Sequence, residues 1–494
     1  MEHCASRRRP ERTAAAPERG RDARPPSAPP ACGPRPQDPT QVPGAIAVAG
    51  PPSAAADASD GGGARLKRPR RGTDNRTVTR RLVRDHGPAL ALAALGVWAM
   101  SFLTLYGFGW NDYGTEAAPA YDALTSGHLW RFLELAPGYG GSLELRAPFA
   151  FVPGLWGGGA IAVYQAVSIP CLVAAAVLAV WLAARMRALG QGTLARATAV
   201  GLCVANPVTL YALQNGHPEE LLGAVLCVAA VLAAQRGHGA AAGLLLGLAI
   251  ANKQWALLAI GPVLIALPAQ RGRAAAIATA VAACFYVPLW LPAYVSGSSG
   301  SSGGAFAGAS GGTIFQPWQL WWFLGSHGHV VRGAFGDLKL GYRTPPGWIQ
   351  SVDHPLIVAL AAALTAFAAR RRRSIDAMLL LALVLAVRFA FDTWDTVYYP
   401  LPFIFALLAW ECLARRRPPV LSLAASIVVW LVFIVAPEHL SADAQSALFL
   451  VAAVPAIVAL ALAVFAPRAR PLRAVGIRLR RRSSALAGAP ISTV

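Results

Sequence analysis

The chain has 494 residues, 55% of them hydrophobic and only 14% charged, and its mean hydropathy is +0.46. That balance is too apolar for a soluble globule and leaves no cytosolic domain to hold a nucleotide. The net charge of +20 sits mainly in two tails and in short loops, without interleaved aromatics or a recognisable module, so no nucleic-acid partner is expected and membrane lipids are the natural counterpart.

Residues 1–85 are rich in Pro, Arg, Ala and Gly and almost free of aromatics, so they read as a disordered basic tail. No apolar region follows Arg7 to Arg9, which argues against a secretory signal. The membrane-embedded domain is expected over 86–467 and a second basic tail over 468–494. Tracts of about 20 apolar residues, the length that crosses a bilayer as helix, recur from Pro88 to Ala466. The spans read as 88–109, 160–184, 194–213, 219–235, 239–252, 254–269, 273–294, 354–369, 375–391, 396–413, 419–437 and 446–466. The expected fold is therefore all-α, a polytopic transmembrane helical bundle of about 12 spans in the plasma membrane.

Charge gives the orientation. Arg76, Arg80, Arg81 and Arg84 precede the first span, and the loops on the same side carry Arg185, Arg187, Arg236, Arg271, Arg273, Arg370 to Arg373 and Arg415 to Arg417. The opposite loops hold Asp112, Glu116, Asp122, Glu134, Glu144, Glu219, Asp337, Asp392, Asp395, Glu438 and Asp443. The positive-inside rule then puts both termini in the cytoplasm. The pair of segments over 239–269 is short, in the manner of half-helices dipping toward a cavity. Seven cysteines, Cys4 and Cys32 in the tail and Cys171, Cys203, Cys227, Cys284 and Cys412 in apolar spans, form no Cys-x-x-Cys and read as small hydrophobes.

Two extracytoplasmic loops, about 110–159 and 295–353, are too long to be connectors. The first opens Trp110-Asn111-Asp112-Tyr113-Gly114-Thr115-Glu116 and continues as an amphipathic helix to Ser126. Asp112 and Glu116, at i, i+4, would share a helix face, one of them as general base; the alternative is a helix cap and a solvated acid. The second loop has a Gly/Ser-rich stretch at 296–312, then Phe315, Trp318, Trp321, Trp322 and Phe323, a pattern that suits a segment in the outer headgroup region.

Further polar residues interrupt the apolar sequence. Lys253 lies between two apolar segments, where an ammonium needs a partner unless it marks the tip of a hairpin. Arg388 and Asp392, again i, i+4, end a span just before Tyr398 and read either as a structural ion pair or as part of a site. Arg146 follows the first outer loop, and Asn215-Gly216-His217-Pro218-Glu219-Glu220 forms another outer turn, so Arg146 and His217 could each meet an anion. No P-loop, no Gly-x-Gly-x-x-Gly after a strand and no His-Glu-x-x-His is present.

Asp112 in the first outer loop, Tyr121-x-x-Leu124-x-x-Gly127 after it, and Ala242-Gly243-Leu244-Leu245-Leu246-Gly247-Leu248-Ala249 running into Lys253 together resemble the GT-C superfamily of membrane glycosyltransferases, and within it family 87. The resemblance covers about 88–466. It implies transfer of a mannose-like hexose from a polyprenyl-phosphate sugar to a cell-envelope lipid or glycan acceptor, with inversion, no cofactor and no metal. It implies a first-loop carboxylate as the catalytic base, Asp112 or Glu116, with Asp112 in the family's position and Glu116 as helper; Arg146, His217, Lys253, Arg388, Asp392 and Tyr398 are read from their own placement as substrate-binding residues, the cations to stabilise a departing phosphate. The chain departs from the paired Asp-x-Asp of many relatives, since the acids here are Asp112 and Glu116. A polytopic transporter or lipid flippase is the rival reading; no repeat relates the two halves of the chain, which disfavours it.

Overall fold

In hydrocarbon a backbone N–H or C=O must find its partner within its own segment, and runs of Leu, Ala and Val close that ladder as α-helix. A computed structural model describes residues 75–106, 112–137, 141–296, 315–328, 330–332, 338–371, 375–415 and 417–466, and it is mostly helical. Helix α1 spans Asn75–Leu103, so it starts inside the stretch that reads as disordered. The rest of that tail, the Gly/Ser-rich stretch and the carboxyl-terminal tail lie outside the described residues.

The first long loop folds into short helices, α2 (Ala118–Thr125), α3 (Leu129–Leu135) and α4 (Ser142–Ala150), preceded by one π-turn over Tyr113–Ala117. These enclose a small core of their own, with Tyr121, Phe132 and Leu143 buried against Tyr164 and Val167. There follow α5 (Ala160–Ala188), α6 (Thr193–Val204), α7 (Pro207–Gln214), α8 (Pro218–Gln235), α9 (Gly239–Asn252), α10 (Ile260–Ala266) and α11 (Arg271–Ser296). After the second loop come α12 (Gly347–Arg370), α13 (Ala377–Phe391), α14 (Leu401–Ala414), α15 (Val420–Trp430), α16 (Ala436–His439) and α17 (Ala442–Phe465).

Among the described residues, 8 helical stretches are long and apolar enough to cross a membrane, and four shorter apolar helices fill the remaining expected positions. Burial sorts them into layers. The most apolar stretch of α8 is 78% buried, whereas that of α17 is 17% buried, so α8 is central and α17 peripheral. Helices α13 and α14 are also central, with every residue from Ala377 to Ala390 and from Leu401 to Cys412 buried. Peripheral helices expose Trp98, Val177, Tyr294 and Val451, a surface that suits lipid rather than water.

Helix breaks are local chemistry. Pro207 stands at the start of α7, and the Asn206 side chain caps the helix by accepting from Val208 N at 2.9 Å while donating to Ser426 Oγ at 2.9 Å. Lys253 is extended, which ends α9; a 3-10 stretch, Gln254–Ala259, leads into the seven-residue α10. The span read from 396 starts instead at Leu401, because Asp392 to Pro400 form a turn.

The second long loop differs from a flat interfacial segment. Trp322 is 0% exposed and stacks on Phe315. Leu320 N donates to Ala390 O, Gln316 N to Thr393 O, and Trp321 Nε1 to Phe391 O at 2.7 Å. These donors meet carbonyls left open at the end of α13, so the aromatic stretch is a cover zipped onto a helix terminus. Two antiparallel two-stranded pairs follow, β1 (Ser326–His327) with β4 (Arg343–Thr344) and β2 (Val330–Arg332) with β3 (Leu338–Leu340). Arg343 ties this hairpin region to α17 through both oxygens of Asp443, each at 2.8 Å, and Trp322 Nε1 donates to the same carboxylate.

Candidate functional site

A polar cluster forms where α1, α7, α9 and α13 end and α8, α12 and α14 begin. Gln214 at the end of α7 donates to the carbonyl of Tyr106 just past α1. Gly216 has φ +89, and a Cβ there would lie 2.8 Å from Tyr113 N. That close approach of backbones, open only to glycine, brings the turn bearing His217 against the π-turn bearing Asp112.

Asp112 stands at the cap position of the π-turn, yet its side chain makes no capping hydrogen bond. Its Oδ2 lies 2.9 Å from His217 Nε2, and His217 Nδ1 lies 2.7 Å from Glu219 Oε1. The imidazole thus bridges two carboxylates. Burial disfavours its charged form, but the Glu219 charge and the hydrogen bonds to Asp112 and Glu219 outweigh burial and hold His217 above its usual range, at about 9. As imidazolium it donates from both nitrogens. Tyr398 packs on the ring with centroids 4.6 Å apart.

Glu219 and Glu220 open α8, where the helix terminus favours negative charge. Both are buried, at 1% and 0% exposure, so each needs compensation. Glu219 accepts from His217, from Arg146 Nη2 at 3.2 Å and from Lys253 Nζ at 3.2 Å, and its carbonyl accepts from Asn252 Nδ2 at 2.8 Å. Glu220 Oε1 is met by Lys253 Nζ at 3.0 Å, Trp255 Nε1 at 3.2 Å and, more loosely, Arg388 Nη2 at 3.7 Å. Arg388 lies over the rings of Trp255 and Tyr399, at 4.9 and 4.4 Å.

The second half of the cluster is built on the turn after α13. Asp392 Oδ1 accepts from Trp394 N at 3.0 Å, and Oδ2 lies 3.7 Å from His354 Nε2. Asp353 Oδ2 accepts from Thr393 Oγ1 at 2.7 Å. Arg388 turns to Glu220, so among the described residues the i, i+4 ion pair, one of the two readings of Arg388 and Asp392, is not the arrangement formed. Asp395 is 0% exposed, and neither oxygen has a hydrogen-bond partner among the described residues. Burial and the neighbouring Asp392 push its carboxyl well above the usual range.

Of the residues singled out from sequence, Asp112, Arg146, His217, Lys253, Arg388, Asp392 and Tyr398 come together here. The three cations expected to face a phosphate are each turned to a buried carboxylate, because Glu219 and Glu220 need compensation in an apolar interior. Glu116 lies half-buried on the π-turn, and the partner held by Asp112 is His217. The reading by sequence did not rank Glu219, Glu220, Asp353, His354, Trp255 or Asp395 as site residues. A signal was present for the first two, since adjacent acids opening an apolar helix demand cations elsewhere. Among the described residues no group of three or more His, Cys, Asp or Glu side chains is arranged to hold a metal ion. No protein-family model, curated protein or solved structure matches the chain.

Proposed function

We propose that the protein is a multi-pass membrane glycosyltransferase that moves a hexose from a polyprenyl-phosphate donor to a lipid or glycan acceptor, with Asp112 as general base. The observation that carries this reading is the bridge from Asp112 through His217 to Glu219 at the acidic end of the bundle. His217 holds Asp112 Oδ2 as an acceptor, and the Asp112 side chain is 20% exposed, open to a substrate hydroxyl. In the proposed reaction the acceptor hydroxyl attacks the anomeric carbon as the bond from that carbon to the phosphate oxygen breaks. The hydroxyl proton passes to Asp112, and the polyprenyl phosphate leaves with the bond electrons.

Lys253 is the cation best suited to meet the departing phosphate. Its side chain is 13% exposed, more than those of Arg146 and Arg388. If it turns to a phosphate, Glu219 stays compensated by Arg146 and His217, and Glu220 by Arg388 and Trp255. The reading also takes the four shorter helices as spans, about 12 in all, with the acidic end extracytoplasmic and the basic end cytoplasmic, as the positive-inside rule requires.

The test is incubation of purified protein with a panel of polyprenyl-phosphate sugars and envelope lipid acceptors, followed by mass spectrometry of the lipid products. One donor should be consumed and one glycosylated lipid should accumulate, and Asp112→Asn should cut that rate by about 10²-fold or more. No product with any donor, combined with transfer of intact lipid across a vesicle bilayer, would favour a flippase.

A further inference from the structure

At the end of the bundle opposite Asp112, helices α1, α5 and α6 leave two neighbouring cavities. One, of about 380 Å³, is lined by His86, Arg187, Thr193 and Arg196. The other, of about 830 Å³, is an apolar groove between α1 and α5 that passes Leu90, Val97, Trp98, Val173 and Val177. His86 and Ala184 line both, so a cationic pocket borders an apolar trough. Arg196 donates from Nη2 to Thr193 Oγ1 at 3.1 Å, while its buried Nε has no hydrogen-bond partner among the described residues.

We propose that this cleft binds one anionic glycerophospholipid, with its phosphate between Arg187, Arg196 and His86 and an acyl chain in the α1–α5 groove. The pocket alone would take any phosphate and the groove any alkyl chain; their adjacency selects an amphiphile that carries both. From His86 to Ser101 the groove follows α1 for about 22 Å at 1.5 Å per residue, long enough for an extended acyl chain. Charge argues for an anionic headgroup, since His86, Arg187 and Arg196 line the pocket and no carboxylate is among its lining residues. Wide lateral opening, with Trp98 66% and Val177 64% exposed, lets such a lipid enter from the bilayer.

The experiment is native mass spectrometry of the full-length protein in detergent, titrated with phosphatidylglycerol and with phosphatidylcholine of the same chains. Phosphatidylglycerol should bind at least about tenfold more tightly, and the paired variant Arg187→Gln, Arg196→Gln should bring it down to the phosphatidylcholine level. Arg273→Gln, a basic residue of the same end that lines neither cavity, should change nothing. Val177→Trp, at an exposed position that tolerates bulk, should reduce occupancy by either lipid by filling the groove. Equal binding of the two lipids overturns the proposal, as does a loss in Arg273→Gln equal to that of the paired variant. Displacement by excess inorganic phosphate, or stronger binding of a polyprenyl phosphate than of phosphatidylglycerol, likewise overturns it.

Discussion

Glu219 is the residue on which the acidic end of the bundle converges, with His217, Arg146 and Lys253 all at its carboxylate. Its neighbour Glu220 depends on fewer cations, and removal of one member of a buried pair is far more damaging than removal of both. Removing both of its cations, Arg388→Gln together with Lys253→Gln, should therefore lower the yield of folded protein, and adding Glu220→Gln should restore it, as read by size-exclusion profile and thermal unfolding. Lys253→Gln should leave folding intact, because both glutamates keep other partners, and should instead raise the donor KM about tenfold or more; a collapse in yield would mean that Lys253 is structural. His217 supplies a pH test. Its folded-state value of about 9 lies above the ordinary 6.5, so its contribution to stability is complete below about pH 6.5 and disappears as pH rises through about 9. The thermal midpoint should fall across that window, and the fall should be absent in His217→Asn.

At the scale of elements, two close approaches hold the site in place. On α9, Gly243 and Gly247 sit one turn apart, and a Cβ at either would meet backbone of α11, Ala274 O at 2.5 Å and Ala278 O at 2.8 Å. This is the small-residue contact that lets two membrane helices pack backbone to backbone, and it sets where the end of α9 delivers Asn252 and Lys253. Gly243→Val should push α9 away from α11 and destabilise the fold by about 1–3 kcal/mol, the usual cost of overpacking, measurable as a lower thermal midpoint in detergent. Gly216→Ala acts differently. It strains a left-handed turn and collides with Tyr113, so it should part His217 from Asp112 and depress turnover while the rest of the bundle stays folded, as judged by an unchanged far-ultraviolet dichroism spectrum.

Across the whole molecule the charged loops collect at two ends. Asp112, Glu219, Glu220, Asp353 and Asp392 meet at one, while at the other Gln191 bonds to the carbonyls of Cys412 and Arg415, Arg236 lies over Trp181, and Arg371 lies over Phe367 and Phe465. In a background lacking Cys284, a cysteine placed at exposed Ser126 should react with a charged maleimide added outside intact cells, and one at Arg371 should not. The opposite labelling pattern would reverse the orientation and remove the site from the extracytoplasmic face.

The all-helical, membrane-suited character of the chain was legible in the sequence, as were Asp112, Lys253 and Arg388 as charged residues interrupting apolar sequence, because hydrocarbon length and the cost of intramembrane charge act on each segment alone. Partners were not legible, since a buried carboxylate is neutralised by whichever cation packing brings near. That is why Arg388 meets Glu220 instead of Asp392, why His217 came to bridge Asp112 and Glu219, and why the tryptophans after 315 cover the end of α13 instead of lying flat on lipid. Only the tertiary structure could decide these, because they join residues as much as 168 positions apart in the chain, as with Arg388 and Glu220, through contacts that no local pattern specifies.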